Sequence, residues 1–255
     1  MVHLAARADI VDSIEDPVRS FRANVVQTID LLDAARLAGV RRFVLASTNA
    51  VVGNAPPPAS EDVVPQPISP YGASKVAGEA YLQAYAGSYG MATCALRFSN
   101  VYGPFARHKK SVVAAWVRAA IDGRPLVVYG TGAQTRDYVF ADDLALAIRR
   151  ALDADEDRVA GQVYQVGTGV ETSLNELAEV LSQAVGRPLE VERRPARVGD
   201  VARNVSRVDK AADQLGFRAA TPLVDGLART AAWFEAARDD PRLSAIEPHA
   251  TSGSE

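Results

Sequence analysis

The sequence predicts an α/β fold in which short buried strands pair in parallel and longer helices connect them. The chain has 255 residues, 48% of them hydrophobic, so it is long enough to bury a substantial core. Residues 42–47 form an apolar run typical of a strand covered on both faces. Longer segments with helix-start signals separate such runs, which favours parallel pairing over hairpins.

The first long helix is predicted over residues 17–37. Asp16 can cap its amino end, Pro17 suits a first turn because proline has no N–H to leave unpaired, and Gly39 can end it. The face expected to pack on the sheet is an apolar stripe formed by Val18, Phe21, Val25 and Leu32.

Two more helix starts carry capping signals. Ser69 and Pro70 predict a helix that begins just before Tyr71. Ser173 with Glu176 three residues later matches a capping box, in which each side chain bonds the other residue's backbone N–H.

Tyr71 and Lys75 are four residues apart in the second predicted helix, so they share one face. A phenol titrates at about pH 10 in water, so Tyr71 removes a proton at neutral pH only if a neighbour stabilises its phenolate, and Lys75 is the candidate. Proton removal is half of an alcohol oxidation, and the other half needs a hydride acceptor that no side chain supplies. A nicotinamide is therefore implied. The alternative is a chance spacing of two helical residues.

Thr48 directly follows the strand predicted at residues 42–47. In open α/β sheets ligands bind outside the carboxyl ends of the strands, so Thr48 can lend its hydroxyl to the substrate oxygen that Tyr71 contacts. The alternative reading of a threonine at this point is a plain turn residue.

Short motifs follow one another along the chain in a fixed order. They are His3-Leu4-Ala5-Ala6, Asn24, and residues 47–53, 71–75, 96–104 and 129–139. In this order the chain resembles the extended short-chain dehydrogenase/reductases, and within them the NAD-dependent sugar-nucleotide epimerases and dehydratases, most closely the UDP-glucose 4-epimerase-like group. The similarity extends from Val2 to about Phe234. It implies a Rossmann-like parallel sheet with a smaller C-terminal substrate lobe.

The resemblance implies roles for particular residues. Tyr71 looks like the family's acid/base, Lys75 like the partner that also holds the nicotinamide ribose, and Thr48 like the hydroxyl that completes the triad. The residues expected along the dinucleotide are Leu4, Ala5, Ala6, Asn24, Ser47, Lys75 and Phe98. Those expected to face a nucleotide-diphosphate sugar are Asn100, Arg136, Arg197, Asp200 and Asn204. The two arginines suit a diphosphate because a guanidinium's planar donors match phosphate oxygens.

The two residues after Thr48 discriminate between the chemistries of this family. The 4,6-dehydratases carry an Asp and a Glu there, and the related decarboxylases a Glu at the second position, whereas this chain has Asn49 and Ala50. Neither residue can shuttle a proton at neutral pH, so elimination and decarboxylation are disfavoured. The resemblance then implies C4 epimerisation of UDP-glucose and UDP-galactose, or their N-acetyl forms, through a 4-keto sugar. The alternatives are a 4-keto sugar reductase and a non-catalytic binding or interaction protein.

Asn204 occupies a position at which some epimerases have a large Tyr that restricts the N-acetyl side of the sugar. Asn is smaller, so tolerance of N-acetylhexosamines is expected. A size effect in a pocket of this kind is worth ~1 to 3 kcal/mol.

The fingerprint G-x-x-G-x-x-G, which the family carries after its first strand, is absent from this sequence. At ~30 residues for each βαβ unit, roughly 60 to 70 residues of the family pattern are missing, so the sheet is expected to be N-terminally truncated. Either Met1 is an internal start of a longer cellular protein, or the chain is a remnant without a complete cofactor site. We expect weak or no NAD binding by this chain, and NADP stays open because the residue that reads the adenosine ribose belongs to that segment.

A coarse domain division follows from the motifs. Residues 1–97 are expected to form a partial NAD-binding domain, interleaved with parts of 125–165. Residues 98–238 should mainly build the substrate-binding lobe, and residues 239–255 a disordered tail, because they mix Pro, Ser, Gly and charge without periodicity. The resemblance implies a homodimer formed through the Tyr71 helix and the helix before it.

Composition excludes several partners. A formal net charge of −3 gives no electrostatic case for nucleic acid or an anionic membrane, and no apolar run approaches the ~20 residues of a membrane span. The start has no signal-peptide pattern, so a cytoplasmic protein is expected. Cys94 is the single cysteine and is expected to be buried, while His3, His108 and His249 lack ligand spacing, so no metal is assigned.

Overall fold

The computed structural model of the chain describes residues 1–196, 201–238 and 240. Its strands are β1 (Val2–His3), β2 (Arg42–Thr48), β3 (Ala92–Phe98), β4 (Asn100–Tyr102), β5 (Leu126–Tyr129), β6 (Thr135–Arg136), β7 (Tyr138–Phe140), β8 (Gln162–Val166), β9 (Thr172–Ser173), β10 (Val191–Arg194) and β11 (Arg203–Asn204). Its α-helices are α1 (Ile10–Glu15), α2 (Pro17–Phe21), α3 (Gln27–Leu37), α4 (Pro70–Tyr89), α5 (Val112–Ile121), α6 (Ala141–Asp153), α7 (Glu156–Val159), α8 (Leu174–Ala184), α9 (Asp209–Leu215) and α10 (Leu223–Ala236).

A parallel sheet with the strand order β1-β2-β3-β8 forms the centre of the molecule. Strands β2 and β3 pair along their whole length, up to Thr48 opposite Phe98, and Phe98 in turn pairs with Val166 of β8. The carboxyl ends of these three strands therefore meet at one edge of the sheet. This arrangement confirms the predicted α/β fold and the strand predicted at residues 42–47.

Helices cover both faces of the central sheet. Because successive side chains of a strand point to opposite faces, Phe43 and Leu45 of β2 pack with Leu32 of α3 and Leu82 of α4, while Val44 packs on the other side. The second face carries α6, α9 and the segment that follows α9. Burial on both faces explains why residues 43–46 of β2 are all apolar rather than alternating.

The second lobe has its own core and three small sheets. Strand β5 pairs in parallel with β10, β4 pairs with β7, and β6 lies between β11 and β9. Helices α5, α8 and α10 pack around the core of this lobe, which includes Val117, Leu126, Leu177, Leu227 and Phe234. Helix α9, by contrast, packs on the central sheet, so this lobe is not one continuous stretch of sequence.

The helix predicted over residues 17–37 is present but changes geometry along its length. Asp16 caps it and Pro17 is its first residue, as predicted. A π-helical turn, Arg22–Val26, separates α2 from α3. The predicted apolar stripe is wrong at Val18 and Phe21, which are 58% and 53% exposed, because the wider turn rotates the residues before it out of phase with those after it.

Both capping predictions are confirmed. The Ser69 hydroxyl accepts a hydrogen bond from the Gly72 N–H at 3.1 Å at the start of α4. At the start of α8 the reciprocal bonds between Ser173 and Glu176 are both present. Cys94 is fully buried in β3, as expected.

The sequence also bears on membrane-spanning helices and on the C-terminal tail. None of the helices in the described parts of the chain is both long and apolar enough to cross a membrane. The tail predicted over residues 239–255 lies outside the described residues, apart from Asp240.

Candidate active site

Helix α4 presents Tyr71 and Lys75 at the carboxyl edge of the central sheet. Both residues are buried, with 9% and 5% of their surface exposed. The Tyr71 N–H donates to the hydroxyl of Ser13 at 3.2 Å, which ties the start of α4 to α1. The acid/base candidate is therefore held by two helices at its backbone.

Thr48, Tyr71 and Lys75 lie together, as the sequence predicts. The Lys75 ammonium is 6.0 Å from the centre of the Tyr71 ring and donates to the Ala46 carbonyl at 2.8 Å. The Tyr71 hydroxyl is hydrogen-bonded to the side chain of Thr48. The Thr48 hydroxyl also accepts from the Ala50 N–H at 3.2 Å, which holds its side chain at the end of β2.

The electrostatics of this cluster differ from the expectation that Lys75 maintains a Tyr71 phenolate. Burial raises the pKa of the Tyr71 phenol, and the hydrogen bond with Thr48 offsets only part of that rise. Burial also lowers the pKa of Lys75 to about 8, against the opposing charge of Glu79. Tyr71 is therefore a neutral phenol at pH 7 in this structure, because desolvation outweighs the hydrogen bond with Thr48.

The structure separates the residues that were expected along the dinucleotide. Leu4 and Ala5 follow β1 and are exposed beside the crevice, and Ala6 is half-buried. Phe98 does not reach this surface, because its side chain packs in the core beneath the sheet with Val44 and other apolar residues.

Asn24 is buried beside the loop that follows β1. Only 2% of the residue is exposed. Its amide oxygen accepts from the Arg7 N–H at 2.8 Å, and its amide nitrogen donates to the Arg7 carbonyl at 2.9 Å and the Ser74 hydroxyl at 3.0 Å. Asn24 therefore shapes the loop after β1 and joins it to α4.

Ser47 is turned away from the crevice as well. Its hydroxyl donates to the buried carboxylate of Glu79 at 2.5 Å, and the same carboxylate accepts two bonds from Arg97, at 3.0 and 2.8 Å. Sequence reasoning missed Glu79 and Arg97. The available signal was that Glu79 follows Lys75 by four residues and so lies on the same helical face.

The residues expected to face the substrate lie on the second lobe. Asn100 begins β4 and its amide donates to the Asp137 carbonyl at 3.2 Å. Arg136 and Asn204 are paired in neighbouring strands β6 and β11, and both are half-buried. Arg136 donates to the carbonyls of Thr135 and Val201, at 2.8 and 2.7 Å. Arg197 and Asp200 lie outside the described residues.

Asn49 connects the two halves of the site. Its amide donates to the side-chain oxygen of Asn204 at 2.5 Å, across 155 residues of sequence. A contiguous series of side chains thus extends from Tyr71 through Thr48 and Asn49 to Asn204 and Arg136. Within the part of the chain that the structure describes, no group of three or more His, Cys, Asp or Glu side chains could hold a metal ion.

The parallel sheet and the Tyr71–Thr48–Lys75 cluster at its carboxyl edge define a Rossmann-like α/β protein of the short-chain dehydrogenase/reductase type. The sequence model of the NAD dependent epimerase/dehydratase family matches residues 1–167. The chain is 42% identical over 238 residues to a UDP-glucose 4-epimerase of Mycolicibacterium smegmatis, covering 91% of this chain and 74% of that protein. The chain therefore belongs to the NAD dependent epimerase/dehydratase family.

Solved structures agree with this assignment. The UDP-glucose 4-epimerase of Thermotoga maritima, crystallised with UDP-glucose, superposes with a TM-score of 0.86 at 32% identity, over 93% of this chain and 77% of that one. MoeE5, solved in complex with UDP-glucuronic acid and NAD, gives a TM-score of 0.85 at 35% identity, over 92% and 79% of the two chains. NAD is the cofactor of this family.

Proposed function

We propose that this chain catalyses the C4 epimerisation of a UDP-hexose, with NAD as the hydride carrier. The observation that carries the proposal is the Tyr71–Thr48–Lys75 cluster with the neutral residues Asn49 and Ala50 after Thr48, where elimination would need acidic groups. The relatives include epimerases named for UDP-glucose, UDP-glucuronate and UDP-N-acetylglucosamine, and also dTDP-glucose 4,6-dehydratases. The neutral residues after Thr48 favour the epimerases among them.

The residues at the crevice fit the nicotinamide end of a dinucleotide. The structure gives the Lys75 ammonium one hydrogen-bond partner, Ala46, although it has three N–H donors, so it can also hold the nicotinamide ribose. Leu4 and Ala5 offer an exposed surface at the end of β1 for the rest of the dinucleotide. When bound, NAD supplies the hydride acceptor that the side chains lack.

Proton transfer at the sugar is assigned to Tyr71. In its phenolate form, Tyr71 takes the proton of the C4 hydroxyl when that carbon is oxidised, and the phenol so formed returns it when the hydride comes back to the other face of the 4-keto sugar. Burial favours the phenol and the Thr48 hydroxyl favours the phenolate. A positive charge nearby, such as the Lys75 ammonium 6.0 Å from the ring, also favours the phenolate. Tyr71 can therefore serve both directions of the transfer.

The substrate diphosphate is assigned to Arg136 and Arg197, and the sugar to Asn100, Asp200 and Asn204. Asn204 is held by Asn49, which leaves its amide nitrogen as a donor towards the pocket. We expect both hexoses and N-acetylhexosamines to be accepted. An Asn204→Tyr variant should lose ~10-fold or more of its kcat/KM for the N-acetyl substrate relative to the plain hexose, as measured by competing the two substrates. Equal retention of both would contradict this assignment.

Conversion of UDP-galactose to UDP-glucose, followed by proton NMR with NAD in large excess, tests the proposed function. We expect turnover by the wild-type chain and a loss of ~100-fold or more in Tyr71→Phe, because general acid/base catalysis contributes that much. The variant's thermal midpoint should stay close to wild type. A chain that binds the sugar nucleotide and NAD but never exchanges C4 configuration would overturn the proposal.

A further inference from the structure

Glu79 is a buried carboxylate one helical turn after Lys75. Each residue has 5% of its surface exposed, and their spacing of four residues places them on the same face of α4. Arg97 of β3 holds both oxygens of Glu79, at 3.0 and 2.8 Å, and Ser47 of β2 donates to one of them at 2.5 Å. These hydrogen bonds hold the Glu79 carboxylate between helix α4 and the adjacent strands β2 and β3, one helical turn after Lys75.

Several groups face Lys75 from the elements packed against it. Tyr71 lies on its own helix, and the Ala46 carbonyl of β2 accepts from its ammonium. His3 of β1 is 7% exposed, its Nε2 is 3.0 Å from the Thr28 hydroxyl, and its pKa is lowered by burial and then by the charge of Lys75. His3 is therefore neutral at pH 7 and adds no charge beside Lys75.

Glu79 supplies the negative charge in this environment. The charge of Glu79 raises the pKa of Lys75, which opposes the lowering that desolvation causes. Arg97 forms the ion pair with Glu79. Two buried cations, Lys75 and Arg97, and one buried anion, Glu79, lie near the Tyr71 phenol. Their charges sum to one positive charge. A site with that balance favours a phenolate more than a neutral site would.

We propose that Glu79, clamped by Arg97 and Ser47, is a positioning residue for the Tyr71–Lys75 pair and keeps the Lys75 ammonium charged in its buried site. The catalytic part of this proposal rests on the proposed function, because Lys75 can favour the Tyr71 phenolate only while it is a cation. Stability alone gives a weak reason for this arrangement, since buried ion pairs are often replaceable by apolar residues without loss.

Titration of Lys75 by NMR tests the proposal without turnover or cofactor. The chain's other lysines are Lys109, Lys110 and Lys210, so isotope-labelled lysine gives few signals, and the Lys75 signal is identified by its loss in Lys75→Met. In Glu79→Gln the Lys75 midpoint should fall by about one pH unit, because an opposite charge has been removed nearby. Glu79→Asp, which keeps the charge, should restore a midpoint near that of the wild type.

Glu192→Gln is the matched control, since it makes the same chemical change at an exposed carboxylate paired with Arg194 in the second lobe. An unchanged Lys75 midpoint in Glu79→Gln, equal to that of Glu192→Gln, would overturn the proposal even if the variant melted early. Because Glu79→Gln leaves Arg97 buried without its partner, the double variant Glu79→Gln with Arg97→Gln removes the pair as a unit. Its Lys75 midpoint should also be lower than in the wild type.

The pH profile of epimerisation gives the catalytic readout. In Glu79→Gln the alkaline limb of kcat should move to lower pH in step with the Lys75 titration, whereas a merely structural role would lower kcat equally at all pH values. The two proposals fail separately. A shifted Lys75 midpoint in a chain that never epimerises refutes the proposed function alone, and an active chain with an unshifted midpoint refutes the role of Glu79 alone.

Discussion

Lys75 carries its ammonium group into a site where only 5% of the residue is exposed. Burial lowers its pKa from 10.5 to about 8, so between these pH values the folded chain binds fewer protons than the unfolded chain. Above about pH 10.5 Lys75 is neutral in both states and costs the fold nothing. As the pH falls from 10.5 through 8, the folded chain has to hold a buried cation and its free energy of unfolding decreases. At neutral pH the buried cation destabilises the fold, which is the expected consequence of a site built for chemistry.

We predict that Lys75→Met raises the free energy of unfolding at pH 7 by ~2 kcal/mol, because the desolvation of the ammonium is removed. The gain should shrink towards zero at pH values above 10.5, where Lys75 is neutral in both states. Urea denaturation at both pH values measures it, with the exposed Lys109→Met as the control. A variant that is equally destabilised at both pH values would refute this reading of Lys75.

The place of a single residue was predictable from sequence where its partners are local, or where the residue follows the carboxyl end of a parallel strand. Tyr71 and Lys75 share a helical face, and Thr48 follows a strand, so their meeting could be expected. The partners of Asn24 and Ser47 could not, because Asn24 bonds to Ser74 fifty positions away. The direction of a polar side chain in a core depends on such distant groups, which leave no periodic trace in the sequence.

At the scale of elements, the segment from α1 to α3 holds the most unexpected geometry. The π-helical turn Arg22–Val26 contains Asn24, whose side chain bridges the loop after β1 to α4. The wider turn places the amide where it can reach both partners. No local residue signal marks such a turn, so the regular 3.6-residue period predicted the wrong phase for Val18 and Phe21.

We predict that Asn24→Ala lowers the free energy of unfolding by ~2 to 3 kcal/mol, because the part-buried N–H and carbonyl of Arg7 and the buried hydroxyl of Ser74 lose their partner. It should also weaken binding of NAD, since the loop at residues 4–8 loses its shape. Denaturant unfolding and calorimetric titration measure the two effects. Asn54→Ala, at an exposed loop position, should stay within ~0.5 kcal/mol of the wild type. An Asn24 variant as stable as that control would contradict the assignment.

Capped helices and uniformly apolar strands were the elements that the sequence predicted best. Helix α4 begins at Pro70 after its Ser69 cap, and α8 begins after Ser173 with its reciprocal bonds to Glu176. Caps are local, so their signal survives in the sequence. Short strands such as β6 and β11 have two residues each and too few side chains to display a period.

At the scale of the whole molecule, a buried aspartate joins the second lobe to the central sheet. Asp137 is fully buried between β6 and β7, and its carboxylate accepts bonds from Thr168 and Gly169, which follow β8, and from Ser99. A Cβ at Gly167 would lie 2.3 Å from this carboxylate, which explains the glycine. The junction keeps Arg136 and Asn204, which we propose bind the substrate, in a fixed place beside Thr48 and Tyr71.

The most direct measurement of the central claim uses UDP-galactose deuterated at C4, incubated with the chain and NAD in ordinary water. If the hydride leaves C4 and returns to the same sugar while Tyr71 handles only the hydroxyl proton, the UDP-glucose formed keeps its deuterium at C4. Mass spectrometry and NMR of the product should therefore show full retention. UDP-glucose with hydrogen at C4, or oxidised sugar released without epimerisation, would contradict the proposed chemistry.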